Sequence, residues 1–416
     1  MKNTLQAENW LSRMRLPAAR AALALAAVLL LVVTASQSAQ AQTYEVLHRF
    51  HHGKADGAFP EAGVVRDAPG NLYGTTRSGG SSDAGVVFKL SPTGKETVLH
   101  NFTGGADGGW PEAGLIRDAA GNLYGTTVSG GSSSGVVFKL DTTGKETVLH
   151  TFTGGTDGGS PGAGVLQDAA GNLYGTTGEG GDLNCYDPFG CGVVFKLDIT
   201  GKETVLHTFT GGTDGGTPGA GVLRDDTGNL YGTTYEGGDL NCTGGLGCGV
   251  VFKVDTTGKE TVLHTFTGGT DGGSPGASVL RDAAGNLYGT TGGGGTYGYG
   301  VVFKLSPTTR KLTVLYTFTG GADGSNPYAG VVRDAPGNLY GTTDRGGTYG
   351  SGVVFKLDIT GKETVLHTFT GGTDGANPFA GLLRDNAGNL YGTTHEGGDL
   401  TCDPPYGCGV VFKLTP

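Results

Sequence analysis

His51 and His52 stand side by side near the start of the chain, and His395, Glu396 and Asp399 lie close together near its end. Imidazoles and carboxylates form a ligand set for a transition metal, and a metal so held can activate water for hydrolysis. The spacing matches no recognised ligand motif, and paired histidines also suit a solvated loop. A second group suits binding. Seven prolines, from Pro60 to Pro378, are each flanked by a changing pair: Phe59/Glu61, Trp110/Glu112, Ser160/Gly162, Thr217/Gly219, Ser274/Gly276, Asn326/Tyr328 and Asn377/Phe379. Aromatic faces beside carboxylates and amides can stack on sugar rings while hydrogen-bonding their hydroxyls, or grip a peptide. Phe59, Glu61, Trp110, Glu112, Asn326, Tyr328, Asn377 and Phe379 are therefore the expected ligand-binding residues; the competing role for the aromatics is to cap a core.

Other residues recur too regularly for catalysis, because a catalytic site is asymmetric and a side chain present in every repeat is scaffold. Six histidines (His48, His100, His150, His207, His264 and His367) share a repeat position that Tyr316 fills once, so packing with a polar tip is their expected role. The aspartates of the GGxDG turns (Asp107, Asp157, Asp214, Asp271, Asp323, Asp374 and, first, Asp56) could bind calcium or accept loop amides. Arg66/Asp67 and their equivalents, Gln167 being the exception, read as exposed ion pairs and turn-forming carboxylates. No nucleophile elbow, phosphate loop or acid/base carboxylate pair at usable spacing occurs. No catalytic residue is assigned.

The elements that must position these residues follow from repetition. GNLYGTT occurs seven times, beginning at Gly70, Gly121, Gly171, Gly228, Gly285, Gly337 and Gly388, at spacings of 50 to 57 residues. Periods near 50 mark propellers or solenoids. Each holds four strand-like runs, which in the second repeat are Ala113–Asp118 (A), Asn122–Thr127 (B), Gly135–Leu140 (C) and Glu146–Phe152 (D). Four antiparallel strands with two partly apolar faces need cover on both sides, which blades stacked about an axis provide. Tyr44–Phe50 (YEVLHRF) matches strand D and Gly409–Leu414 (GVVFKL) matches strand C, so the first residues supply the strand that the last repeat lacks. The expected fold is an all-β, seven-bladed β-propeller. Its ring is closed by an N-terminal strand D (about 44–50) pairing with the last strand C (about 409–414), which hides an exposed edge. The D–A and B–C loops then share one face. On it the aromatic residues of blades 1, 2, 6 and 7 are consecutive, and His51, His52, His395, Glu396 and Asp399 meet between blades 7 and 1.

LYGTT, GVVFKL and ETVLHTFTGG resemble the GloVer-type tandem repeat of exported bacterial proteins, over Tyr44 to Pro416. The resemblance implies a propeller-like extracellular protein and brings no activity or catalytic residue with it.

The six cysteines fall as Cys185/Cys191, Cys242/Cys248 and Cys402/Cys408, each pair a C-x5-C inside one B–C loop. Blades that lack one cysteine lack its partner, so three local disulfides are expected, each pinning its own loop. Residues 1–41 read as a signal peptide: Arg13, Arg15 and Arg20, an apolar run from Ala21 to Val33, then Ala39-Gln40-Ala41 at the cleavage point. Residues 42–416 form a single expected domain. The leader holds four basic groups and one acidic group, so residues 42–416 carry a formal charge of −13 against −10 for the whole chain. An acidic surface without a basic cluster repels phosphate backbones, which makes nucleic acid a poor partner. The expectation is a secreted, cell-surface or periplasmic monomer with no membrane span after cleavage. It binds an extracellular glycan or other cell-surface ligand and needs no cofactor for doing so. A metal-dependent hydrolase using the His/carboxylate set and a purely structural surface protein are the alternatives.

Overall fold

The computed structural model describes residues 42–186 and 188–416. The signal peptide expected over 1–41 lies outside the described residues. Strand register explains the vocabulary of the repeat. In blade 2, strand B (Leu123–Thr127) pairs with strand C (Val136–Leu140), and Gly125 faces Phe138. A Cβ on Gly125 would lie 2.7 Å from the Phe138 ring, and the glycine of every other LYGTT stands in the same relation to its own phenylalanine. The glycine is the space that the phenylalanine fills. Val136, Val137 and Phe138 are wholly buried, so strand C is apolar on both faces. Strand D (Glu146–Thr151) lies outermost, and a register shift between Val137 and Phe138 adds local twist to the sheet.

Strand A differs from expectation. Only Ile116–Arg117 pairs with strand B, where the sequence pattern predicts six residues. The preceding stretch is used between blades instead. Thr75 Oγ1 of blade 1 donates to the Ala113 carbonyl of blade 2 at 3.0 Å. Six further bonds of 2.9–3.0 Å repeat this, from Thr126 to Ala163, Thr176 to Ala220, Thr233 to Ala277, Thr290 to Ala329, Thr342 to Ala380 and Thr393 to Ala62. The last returns from blade 7 to blade 1, so the belt is continuous.

Seven four-stranded sheets result, and in one of them Thr43–Arg49 hydrogen-bonds to Val410–Thr415, followed by Leu390–Thr394 and Leu383–Arg384. The fold is therefore the closed seven-bladed propeller that the sequence predicts. Phe50 N–H donates to the Gly409 carbonyl at 3.1 Å. Its buried ring meets Phe88 of blade 1 edge-on at 5.3 Å, as Phe209 meets Phe252 at 5.1 Å in mid-ring. Tyr44–Thr415 form one compact unit.

The Arg-Asp pairs depart from the sequence reading in their arginines, while the aspartates form turns as expected. Arg117 lies over the Tyr73 ring of the preceding blade at 5.9 Å, and Arg66 over Tyr391 at 5.7 Å. Asp67 meanwhile accepts two hydrogen bonds from Asn71 at 2.7 Å and one from the Tyr73 hydroxyl at 3.0 Å. Arg66, Arg117, Arg224, Arg333 and Arg384 thus find a ring face across the seam and leave the neighbouring carboxylate to the turn.

All three expected disulfides form, Cys185–Cys191, Cys242–Cys248 and Cys402–Cys408, with no free cysteine among the described residues. Their role is larger than the loop-pinning that the sequence suggests. The second cysteine of each pair is core rather than loop surface: Cys191, Cys248 and Cys408 are buried as completely as the strand-C valines. Cys191 packs in one apolar cluster with Phe209 and Phe252, Cys248 in another with Phe266 and Phe303, and Cys408 in a third with Phe50 and Phe88. The physical reason is position. Each stands one glycine before strand C, where the chain already runs beneath the next blade, so its sulfur behaves as a small apolar group. The bonds also sit on the next blade's turn: a Cβ on Gly211 would lie 2.4 Å from Cys185 Sγ, and one on Gly268 would lie 2.5 Å from Cys242 Sγ. Such bonds fit an oxidising, extracellular or periplasmic compartment. Among the described residues no helix is long and apolar enough to cross a membrane.

Candidate functional site

The D–A turn and B–C loop of each blade meet on one face. Gly57–Ala58 pairs with Ser78–Gly79 in blade 1, and Gly109 with Ser129 in blade 2. The residue before each proline adopts a positive φ: 57° at Phe59, 54° at Trp110, 57° at Asn326 and 54° at Asn377. A left-handed non-glycine residue costs roughly 1–2 kcal/mol. Here its N–H is compensated by the preceding blade, with Trp110 donating to the Ala84 carbonyl at 2.8 Å and Phe59 to that of Cys408 at 3.0 Å. The turn aims the residue after each proline at the axis. Glu61, Glu112, Gly162, Gly219, Gly276, Tyr328 and Phe379, together with His395, surround a cavity of about 360 Å³. Below this mouth runs an axial channel walled by Ala-Gly pairs such as Ala113-Gly114 and Ala163-Gly164.

The mouth is one-sided. Three successive blades offer only Gly162, Gly219 and Gly276, and opposite them the rings form a continuous arc. Tyr328 stacks on Phe379 at 6.2 Å, Phe379 meets His395 edge-on at 5.5 Å, and His395 lies 5.2 Å from Phe59. Tyr328 lies over Gly292, where a Cβ would come within 2.4 Å of its ring. Arg77 continues the arc. Its Nε donates to Glu112 Oε1 at 3.0 Å and stands 3.6 Å from Glu61 Oε1, while its guanidinium lies 5.5 Å from the Trp110 ring centre. Trp110 is 45% exposed, which leaves the indole accessible to a ligand.

Electrostatics make the mouth versatile rather than strongly charged. Burial, and then Arg77, hold His395 down at about 4, so its ring is neutral at pH 7. Burial, and then Glu112, push Glu61 up to about 7 against the pull of Arg77. His395 Nδ1 lies 3.7 Å from Glu61 Oε1 and has no hydrogen-bond partner among the described residues. A neutral imidazole beside a half-protonated carboxyl can both donate and accept hydrogen bonds near neutral pH.

Of the residues expected from the sequence, Glu61, Glu112, Tyr328 and Phe379 come together at the mouth. Phe59 and Trp110 adjoin it through His395 and Arg77. Asn326 and Asn377 turn their amides into the loops, donating to the Gly292 carbonyl at 2.8 Å and to Asp344 Oδ1 at 3.2 Å. The His/carboxylate set is spread out. His51 pairs with Asp56 at 3.2 Å and lies 3.9 Å from Asp399, and His52 pairs with Asp83 at 2.8 Å. His395 belongs to the mouth, while Glu396 pairs its backbone with Ala376. The GGxDG aspartates hold their own turns, as Asp157 does by accepting the Thr153 N–H at 2.8 Å and the Thr153 hydroxyl.

Arg77 was not anticipated, although the sequence carries its signal. The residue after each LYGTT is Arg77, Val128, Gly178, Tyr235, Gly292, Asp344 or His395, a second variable position on the same face. Phe189, Tyr297, Tyr349 and Tyr406, each 58–62% exposed on the B–C loops, were also passed over.

The sequence pattern described as the Gloeobacter/Verrucomicrobia repeat matches residues 34–246 and again 241–416. The chain belongs to that family. No curated protein sequence matches this Gloeobacter/Verrucomicrobia repeat protein. Among solved structures it is similar to an oligogalacturonate lyase from Vibrio parahaemolyticus, at 12% identity and a TM-score of 0.55, over 91% of this chain and 94% of the lyase. It is also similar to the extracellular domain of a candidate hybrid two-component system from B. thetaiotaomicron, at 15% identity and a TM-score of 0.53. That match covers 90% of this chain, which spans 41% of the length of the relative. At these identities the likeness shows the propeller fold alone.

Proposed function

We propose that this Gloeobacter/Verrucomicrobia repeat protein is an exported binding or adhesion propeller that holds carbohydrate at the mouth of its axial channel. The observation that carries the reading is the one-sidedness of the mouth. Sevenfold scaffolding would place like residues around the axis, yet Tyr328, Phe379, His395 and Phe59 cluster opposite Gly162, Gly219 and Gly276. Aromatic faces receive the C–H faces of a sugar ring, and the glycine side leaves room for its bulk. Glu61, Glu112 and the neutral His395 supply donors and acceptors for hydroxyl groups without demanding a charged ligand. Export follows from the leader-like residues 1–41 and agrees with the disulfides.

The test uses the chain from residue 42 on a glycan array, followed by retention on the polysaccharide so identified. Trp110 is the only tryptophan after residue 41, so its fluorescence reports occupancy directly. Trp110→Ala and Tyr328→Ala should each abolish retention while the unfolding midpoint stays within a few degrees. A blank array, or retention unchanged in both variants, overturns the carbohydrate reading.

A further inference from the structure

Away from the channel, each seam between blades holds a second cluster. In four seams it comprises the strand-D histidine, the aspartate of the following turn and the glutamate that opens strand D in the next blade; Tyr316 replaces the histidine in a fifth seam. His150, Asp157 and Glu203 form one such group, and His48, Asp56 and Glu96 another; in each, one nitrogen and two oxygen donors all lie within 4.8 Å of one another. His150 Nε2 lies 3.9 Å from both Asp157 Oδ2 and Glu203 Oε2. His48 Nε2 lies 3.4 Å from Asp56 Oδ1 and 3.9 Å from Glu96 Oε2. We propose that these two seams each bind a divalent transition-metal ion of the zinc type.

The chain contains its own control. Where the repeat replaces the glutamate, by Leu312 in one seam and Tyr44 in another, the histidine hydrogen-bonds its aspartate directly. The distances there are 3.1 Å for His264–Asp271 and 3.2 Å for His367–Asp374. In the four seams that have both histidine and glutamate, the same pair stands 3.4 to 3.9 Å apart. The glutamate thus goes with a longer His–Asp separation, although His48 still hydrogen-bonds Asp56 at the 3.4 Å end of that range. A tetrahedral ion with bonds of about 2.1 Å separates its donors by about 3.4 Å, so the longer spacing suits such an ion.

Unpartnered atoms point the same way. Glu96 is 10% exposed, yet its Oε1 has no hydrogen-bond partner among the described residues, and the same holds for Oε1 of Glu146, Glu203, Glu260 and Glu363 and for Nε2 of His100, His150 and His207. A buried carboxylate facing a second carboxylate needs a counter-charge. The two carboxylates carry the charge that a divalent ion cancels, and the imidazole nitrogen adds a third donor. Calcium is the poorer fit, because it takes six to eight oxygen ligands and these groups offer a ring nitrogen and few oxygens. An ion held here would tie the outer strand of one blade to that of the next.

The experiment takes tag-free chain from residue 42, stripped with chelator and dialysed, and titrates it with Zn²⁺ against a chromophoric chelator. At least two tight equivalents are expected. Glu203→Gln and Glu96→Gln, which keep side-chain shape, should each remove one. His264→Tyr, which copies Tyr316 at a seam without glutamate, should remove none. Zn²⁺ should raise the thermal midpoint of the parent but not of the double glutamine variant, whose circular dichroism checks that it folds. No uptake by the parent, or the same number of equivalents in the double variant, overturns the proposal.

Discussion

Phe50→Ala tests ring closure where it is most exposed to failure. Phe50 follows the strand Thr43–Arg49, is wholly buried, and packs on Phe88 of blade 1 at 5.3 Å. Removing a buried phenylalanine side chain costs about 3–5 kcal/mol. Unfolding entropy of about 2.1 cal/mol/K per residue, over about 375 residues, gives about 0.8 kcal/mol/K, so the midpoint should fall by about 4–6 °C. Phe209→Ala is the matched control, since Phe209 makes the same contact with Phe252 in mid-ring. Thermal unfolding of both variants, followed by circular dichroism, should give shifts that agree to within about 2 °C. If Phe50→Ala costs less than about 1 kcal/mol while Phe209→Ala costs the full amount, the clasp is not formed as described and the reasoning fails.

Two further outcomes are expected besides those tied to the channel mouth and the seams. Cys402→Ala/Cys408→Ala frees a short loop, which loop-closure entropy values at about 2 kcal/mol, and it also removes the buried sulfur of Cys408, worth about 1 kcal/mol. Urea unfolding should show a loss of about 3 kcal/mol, and a loss below about 1 kcal/mol would contradict both the constraint and the core role. For pH, Glu96 and Glu203 titrate at about 8 and about 7 in the folded chain, above their ordinary value. The folded state therefore holds these protons more tightly. That stabilisation is complete below the unfolded value of about 4.5 and is lost as pH rises through 7 to 8. In metal-free protein, Glu96→Gln/Glu203→Gln should gain on the parent in urea midpoint between pH 5 and pH 8; a difference that shrinks across that range contradicts the assignment.

Much of the architecture was legible because it rests on local, repeated signals. Seven LYGTT runs, the orphan strand at each chain end and the cysteine pairs each state their partner within a few tens of residues or by simple bookkeeping of strands. The interactions between blades were not. Arg117 over Tyr73 and Thr75 to the Ala113 carbonyl join residues about 40 positions apart, and no periodicity within a strand reveals them. For the same reason strand A is shorter than its composition implies: Ala113–Leu115 has the composition of a strand but serves the neighbouring blade. Cys191 and Cys248 follow suit, since the spacing names their bonding partners but not the phenylalanines of the next blade that bury them. At the mouth, the residues beside each proline were found because they vary against a constant background. Arg77 varies just as plainly, but its sequence position lies on a different loop. His395 was grouped with His51 by residue type, and only the fold shows that it stands between Phe59 and Phe379 instead.

The pairing of Thr43–Arg49 with Val410–Thr415 sets an order of events during biogenesis. Of these two segments the earlier-made must wait for the later-made, with its backbone amides and carbonyls free in the interval. A molecule still folding can satisfy that need from a sister molecule instead, by donating its Thr43–Arg49 segment to the sister's unfinished wedge. Refolding at high concentration should therefore yield exchanged dimers with intact wedges, in which each partner completes the other's circle.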